Sequence, residues 1–206
     1  MNILEIVRLL FIYVVALTVH EFSHAWMAHR LGDPTAKGEG RLSLNPFVHI
    51  DPFVTLALPF FLILIGSPII FGAARPVPFN PHMVRGGHRG AALVALAGPA
   101  SNFLMAAMIA LLVRLIPGLG IVGSGFFITF VVTNIALGLF NLIPVPPLDG
   151  SRVIYAFAPD SIRDLFDRFE RLGMMGILIF FFVIYPLVAG SLQGTIQFVS
   201  RYLLGL

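Results

Sequence analysis

The chain is written as long apolar blocks separated by short polar breaks rich in glycine and proline. Five blocks stand out, residues 3–28, 53–71, 91–116, 121–143 and 172–192. The first is long enough to cross a hydrocarbon layer of about 30 Å as a helix. The tail, 194–206, stays apolar around Arg201 and Tyr202 and reads as a segment lying along an interface. The second block does not read as a simple spanning helix, because Pro52, Pro59, Gly66 and Pro68 interrupt it. Ahead of it runs GRLSLNPFVHIDP, residues 40–52, whose first six residues alternate small or polar with apolar and predict a short strand ending at Pro46. Irregular backbone at membrane depth is tolerated only where protein or a water-filled cavity surrounds it. A re-entrant, strand-containing hairpin is therefore expected between residues 38 and 75. The expected architecture is an all-α polytopic membrane protein of about four to five transmembrane helices plus that hairpin, forming one domain over residues 1–206. No internal repeat or low-complexity segment interrupts it.

Composition agrees with the block pattern. The chain is 58% hydrophobic and 11% charged, with a mean hydropathy of +0.94, against about 25% charged in a soluble domain. The thirteen basic residues bear on topology. With the end of the first block in the cytoplasm and the second block dipping in and returning, Arg30, Lys37, Arg41, Arg75, Arg85, Arg89, Arg152, Arg163, Arg168 and Arg171 share the cytoplasmic side. Arg8, Arg114 and Arg201 take the other, a split of ten against three. A full crossing by the second block gives eight against five, so the positive-inside rule favours re-entry. No basic run interleaved with aromatics supports nucleic-acid binding. Absence of cysteine excludes disulfides, thiolate metal sites and a cysteine nucleophile. The first block is expected to stay in the protein rather than act as a cleaved signal, since it begins with Glu5 and a single Arg8 and carries the chemistry described next. No lipidation motif is visible.

Within that first block lies His20-Glu21-Phe22-Ser23-His24, an HExxH sequence. Positions i and i+4 share a helix face, so both imidazoles can reach one metal ion. Glu21 projects about a third of a turn away, where a carboxylate can take a proton from metal-activated water. Two histidines and an acid at membrane depth are costly and need partners or a purpose. The pattern points to metal-assisted hydrolysis inside the bilayer. A satisfied pair of core histidines is the alternative.

A catalytic zinc usually has three protein ligands and an open position. The extended HExxHxxGxxH form is absent, with Met27 and Arg30 at its glycine and last histidine positions, so a third ligand comes from elsewhere. Glu5, Asp33, Glu39, Asp51 and the cluster Asp160, Asp164, Asp167 and Glu170 read as solvated loop acids. Asp149 differs. It ends FNLIPVPPLDG, residues 140–150, where Pro144, Pro146 and Pro147 forbid regular helix and hold the backbone extended. A rigid segment ending in a carboxylate suits metal binding, and an ordinary Asp-Gly turn explains it equally well. The histidines sit late in the first block and Asp149 just after the fourth. They can meet if those helices run parallel, with one full crossing between them, as the re-entrant topology provides.

These motifs together resemble the site-2 protease family of intramembrane zinc metalloproteases, in its minimal form without a PDZ domain. The resemblance is carried by VHEFSH at 19–24, GRLSLNPFVHIDP at 40–52, RPVPFNP at 75–81, LAGPASN at 96–102 and FNLIPVPPLDG at 140–150. It implies one zinc ion bound by His20, His24 and Asp149, with Glu21 as the general base. It also implies roles near the substrate or oxyanion for Asn141, Asn102 and His49; helix–helix hydrogen bonding is the plain alternative for the two asparagines. The implied substrates are membrane proteins with a transmembrane helix, cut within or near that helix. The implied location is the cell membrane of a prokaryote, with the active site opening toward the cytoplasm and the oligomeric state left open. The competing class is a non-catalytic metal-binding scaffold or inactive homologue that holds transmembrane partners. A small transporter lacks duplicated halves, and a di-iron oxidase lacks repeated histidine boxes.

Overall fold

The computed structural model describes residues 2–64, 72, 74–116 and 124–205, and these contain helices but no strand. The first helix, α1 (Ile3–Arg30), opens with a capping box. Asn2 Oδ1 accepts from the Glu5 amide and Glu5 Oε2 accepts from the Asn2 amide, each at 2.9 Å. A short α2 (Thr35–Gly38) follows, then a 3₁₀ turn (Pro46–Val48), a π turn (Pro52–Ala57) running into α3 (Leu58–Leu64), and a long α4 (His88–Leu115). After α5 (Ser124–Asn141) come α6 (Asp149–Phe157), α7 (Asp160–Arg171), α8 (Met174–Ile179), a π turn (Phe180–Ile184) and α9 (Tyr185–Leu204).

Three helical runs, Ile3–Arg30, His88–Leu115 and Met175–Leu204, are long and apolar enough to cross a membrane, and Gly125–Asn141 is a shorter apolar helix. Their outer surface is apolar: Phe182, Leu187 and Phe198 are 78%, 79% and 72% exposed. Such a surface suits lipid rather than water.

Helix α4 is the hub, packed by α1, α5, α6 and α9. Its buried face is dominated by Gly90, Ala91, Ala92, Ala95, Gly98, Ala106 and Ala110, small residues that let neighbouring backbones come close, with Val94, Pro99 and Asn102 among them. Cross-helix contacts give the directions. His24 meets Val94 and Ala16 meets Asn102, so α1 and α4 are antiparallel. Arg8 at the start of α1 lies against Gly125 at the start of α5, so these two run parallel. Ala106 and Ala110 of α4 join Val131 and Ile135 of α5 and Leu204 of α9 in one core cluster, and Arg114 donates to the Tyr202 carbonyl. The ends of α4 and α9 therefore lie together.

The strand expected over residues 40–45 does not form. That stretch runs as bends, with no partner strand among the described residues to take up its backbone groups. Side chains and local turns do so instead: the Arg41 amide bonds the Ala36 carbonyl, the Arg41 guanidinium donates to the Val48 carbonyl, and the Asn45 amide bonds Ser43 Oγ at 3.1 Å. The second apolar block is helical as far as Leu64, and its remainder at 65–71 lies outside the described residues, as does 121–123 of the fourth block. Both flanks of the excursion meet again, since the Arg75 amide donates to the His49 carbonyl at 2.8 Å.

Candidate metal centre

On α1 the helical repeat stacks His20 and His24 on the face turned toward α4. Each imidazole is oriented from behind. His24 Nδ1 lies 2.7 Å from the Val94 carbonyl, which can only accept, so Nδ1 carries the proton and Nε2 a bare lone pair. His20 Nδ1 lies 2.7 Å from Asn102 Oδ1. The Asn102 amide is oriented in turn, because its Nδ2 donates to the Ala16 carbonyl at 3.2 Å. His20 is thereby also protonated at Nδ1 and bare at Nε2.

The third group arrives from α6. Leu142 and Ile143 end α5 in a tight turn, and Gly150 lies so close to their carbonyls that a methyl there would collide with the Leu142 oxygen. That close approach sets Asp149 at the first turn of α6, facing the histidines. Asp149 Oδ2 lies 3.2 Å from His20 Nε2 and 3.3 Å from His24 Nε2, and the two Nε2 atoms are 3.0 Å apart. Donors held by a tetrahedral zinc at 2.0–2.1 Å stand about 3.3 Å from one another. Two bare nitrogens and a buried carboxylate oxygen with no hydrogen-bond partner thus converge on one point. Three lone pairs at this spacing repel unless a cation lies among them, so the donor set fits zinc.

Space for the cluster is made on α4. A methyl built on Gly98 would lie 2.7 Å from His20 Cε1 and closer still to His24 Nε2. Glu21 is buried beside the trio, and its Oε2 accepts from the Val77 amide at 3.2 Å. Val77 belongs to a segment without regular secondary structure, 74–80, held at each side. The Arg75 amide bonds His49, and the Asn80 amide bonds Asp33 Oδ2 at 2.6 Å.

Asp33 is fully buried rather than solvated. Burial pushes its carboxyl up, but hydrogen bonds from the Thr35 hydroxyl, the Thr35 amide and the Asn80 amide outweigh this and hold it below the ordinary 3.8.

The three substrate-side candidates fare differently. Asn102 is fully buried, and both its amide hydrogens are taken, by the Ala16 carbonyl and by Asn134 Oδ1 at 3.0 Å. No donor remains for an oxyanion, so Asn102 orients His20 instead. His49 is also fully buried. Its Nε2 donates to the Ser43 carbonyl at 2.8 Å, leaving Nδ1 as a lone pair without a partner, the wrong polarity for an oxyanion. Asn141 is only half-buried and gives one amide hydrogen to the Leu137 carbonyl at 3.0 Å, so the other is free to point elsewhere. Sequence reasoning passed over Asn134, Gly98 and Val77. Asn134 had a signal, an amide in the middle of an apolar block. A backbone amide such as Val77 has none.

Comparison with known proteins gives a family. A profile described as peptidase family M50 matches residues 118–184, the part that contains Asp149. A protein of Bacillus subtilis (strain 168), "Putative zinc metalloprotease YwhC", is 35% identical over 91% of this chain and 88% of its own length. "Putative zinc metalloprotease Rip2" of Mycolicibacterium smegmatis is 37% identical over 67% of this chain and 52% of its own length. Its namesake in Mycobacterium tuberculosis (strain H37Rv) is 31% identical over 88% of this chain and 67% of its own. No solved structure matches the chain.

Proposed function

Since the chain belongs to peptidase family M50, the site-2 protease kind of zinc metalloprotease, we propose that it cleaves peptide bonds of membrane proteins within the bilayer, using one zinc ion held by His20, His24 and Asp149. The observation that carries this reading is the convergence of His20 Nε2, His24 Nε2 and Asp149 Oδ2 at 3.0–3.3 Å beside a buried glutamate. When bound, zinc would supply Lewis acidity, polarising the scissile carbonyl and lowering the pKa of bound water to about 7.

The protein's own groups do the rest. Glu21 takes the proton of the attacking water and returns it to the leaving amine. The Val77 amide holds one Glu21 oxygen, leaving the other to face the reaction. Asn141, with an amide hydrogen unspent, is the remaining candidate for steadying the developing oxyanion. His20 and His24 keep their Nε2 lone pairs forward because their Nδ1 protons are committed behind them.

A helical substrate hides its carbonyls in its own hydrogen bonds, so the cut requires a locally unwound stretch. The substrates are transmembrane segments with helix-weakening residues near the cut. The site opens to the cytoplasm, at the end of the molecule that carries most of the basic residues. Re-entry of residues 53–71 is supported by the Arg75–His49 bond, which brings the two flanks of the block together.

The test pairs activity with metal content. Glu21→Gln is expected to lower cleavage of a membrane-embedded reporter by about 10²–10⁴-fold while zinc stoichiometry stays near that of the wild type. Asp149→Ala is expected to lower bound zinc. Cleavage surviving in Glu21→Gln would remove Glu21 as the base, and unchanged zinc in Asp149→Ala would remove Asp149 from the ligand set. Zinc retained without any cleavage by the wild-type protein would favour the scaffold reading.

A further inference from the structure

Behind the metal centre lies a second, wholly polar arrangement inside the helix core. Asn102 of α4 and Asn134 of α5 are both fully buried, in a setting otherwise built of alanine, glycine and branched aliphatics. Buried amides without partners cost about 1–3 kcal/mol each, so what they bond to matters. The Asn134 Nδ2 donates to the Phe130 carbonyl at 2.9 Å. A backbone carbonyl only accepts, so this bond orients the amide and turns Asn134 Oδ1 toward α4. There Oδ1 accepts from Asn102 Nδ2 at 3.0 Å, while the other Asn102 hydrogen goes to the Ala16 carbonyl at 3.2 Å. Asn102 Oδ1 is left facing His20 Nδ1 at 2.7 Å.

We propose that Asn134 is a positioning residue for the metal centre: acting through Asn102, it fixes the tautomer of His20 so that the Nε2 lone pair faces Asp149 and His24. The inference rests on the reading of His20, His24 and Asp149 as a zinc site, and adds the part of α5 that makes His20 a competent ligand. If Asn102 turned its amide over, it would present N–H groups to His20 Nδ1. The ring would then shift its proton to Nε2 and close the lone pair. With Asn134 in place, that turn strands one amide hydrogen and sets Asn102 Oδ1 against the Ala16 and Asn134 oxygens. Without Asn134 one Asn102 hydrogen already has no acceptor in a dry site, and the barrier against turning falls. The chain of bonds also ties α1, α4 and α5 together at one depth, so its loss is felt at the metal rather than at the surface. Asn134 touches neither substrate nor metal.

The experiment measures zinc affinity of purified protein by competition with a chromophoric chelator, alongside thermal unfolding of the metal-free protein. Asn134→Leu keeps volume and deletes the acceptor. It is expected to weaken zinc binding about 10–100-fold while the metal-free protein unfolds near the wild-type temperature. Asn134→Asp, held neutral by burial, can accept from Asn102 and donate to Phe130, and is expected to stay within about threefold of wild type. In an Asn102→Leu background, Asn134→Leu is expected to add no further loss, because its effect passes through Asn102. If Asn134→Leu does not fold, Asn134→Val and Asn134→Thr form the same comparison, a methyl against a hydroxyl acceptor in one shape. A polar variant no better than its apolar counterpart, a loss under threefold with the apolar one, or additive losses in the double variant overturns the proposal. His20→Ala serves as the reference. If it leaves zinc bound, the metal-centre reading itself fails; if it removes zinc while Asn134→Leu does not, only the role of Asn134 fails.

Discussion

At position 98 the missing side chain is what allows α4 to lie against both imidazoles. A methyl there meets His20 Cε1 at 2.7 Å and presses harder on His24. Gly98→Ala therefore has two outlets, and both are readable. Either the rings turn away from Asp149, or α4 backs off at a cost of about 1–3 kcal/mol for overpacking. Lower zinc content in the purified variant, read by elemental analysis, is the expected result, and wild-type content would show that the cluster is looser than the contacts imply. The side chains that meet at this point were readable in the sequence because their chemistry is loud: His20, Glu21 and His24 share a spacing, and Asp149 follows a proline-stiffened run. Their supports were quieter. Gly98 is one glycine among 20, and Val94 and Val77 act through backbone atoms that every residue owns. Asn102 could be read as an important amide, but not that its two hydrogens are consumed elsewhere, since that depends on which carbonyls packing brings within 3.2 Å.

Among elements, the turn after α1 and the irregular segment 74–80 depend on one another through Asp33. Its carboxylate accepts from Thr35 at the start of α2 and from the Asn80 amide, so it clips the segment that carries Val77 and, through Val77, steadies Glu21. Its pKa is lowered in the folded state, so the ionised form is favoured by folding. The sign follows: the contribution is full above the ordinary value of 3.8 and is lost as pH falls through the lower folded-state value. Asp33→Asn is expected to unfold at a lower temperature than wild type at neutral pH, by about 1–2 kcal/mol. The gap should close below pH 4, as the wild-type carboxyl protonates. A gap constant across that range, followed by circular dichroism in detergent, would mean that charge plays no part in the clip. Asp33 looked like a loop acid because a polar, glycine-flanked context is all the chain shows locally; its burial comes from a segment 47 residues away. The expected strand at 40–45 failed for the converse reason. Alternation marks a segment that can pair, but pairing needs a second edge, and here Arg41 and Ser43 answer the backbone groups instead. Blocks one, three, four and five became helices because length and apolarity alone decide that in a membrane setting.

For the molecule as a whole, the decisive question is the side on which residues 74–90 lie. Three bonds tie that stretch to the segment between α1 and the second block: Arg85 to the Leu31 carbonyl at 2.8 Å and Asn80 to Asp33, both just after α1, and Arg75 to His49, just before the second block. With α1 and α4 antiparallel, α4 then begins on the side where α1 ends and carries the chain across. Parallel α5 returns it, so that Asp149 reaches the histidines from the correct end. A second block that crossed fully would break all three ties and strand Asp149 away from α1. Natural absence of cysteine makes the experiment clean, because single cysteines can be placed one at a time. Lys37→Cys and His82→Cys lie at exposed positions on the α1-end side, and Ile116→Cys lies just beyond α4. In intact cells an impermeant maleimide is expected to label Ile116→Cys and to spare the other two; inverted vesicles should reverse the pattern. Labelling of His82→Cys alone, with Lys37→Cys and Ile116→Cys both spared, would show that residues 53–71 traverse the bilayer. The donor convergence that supports the zinc site would then have to be built from a different arrangement of helices.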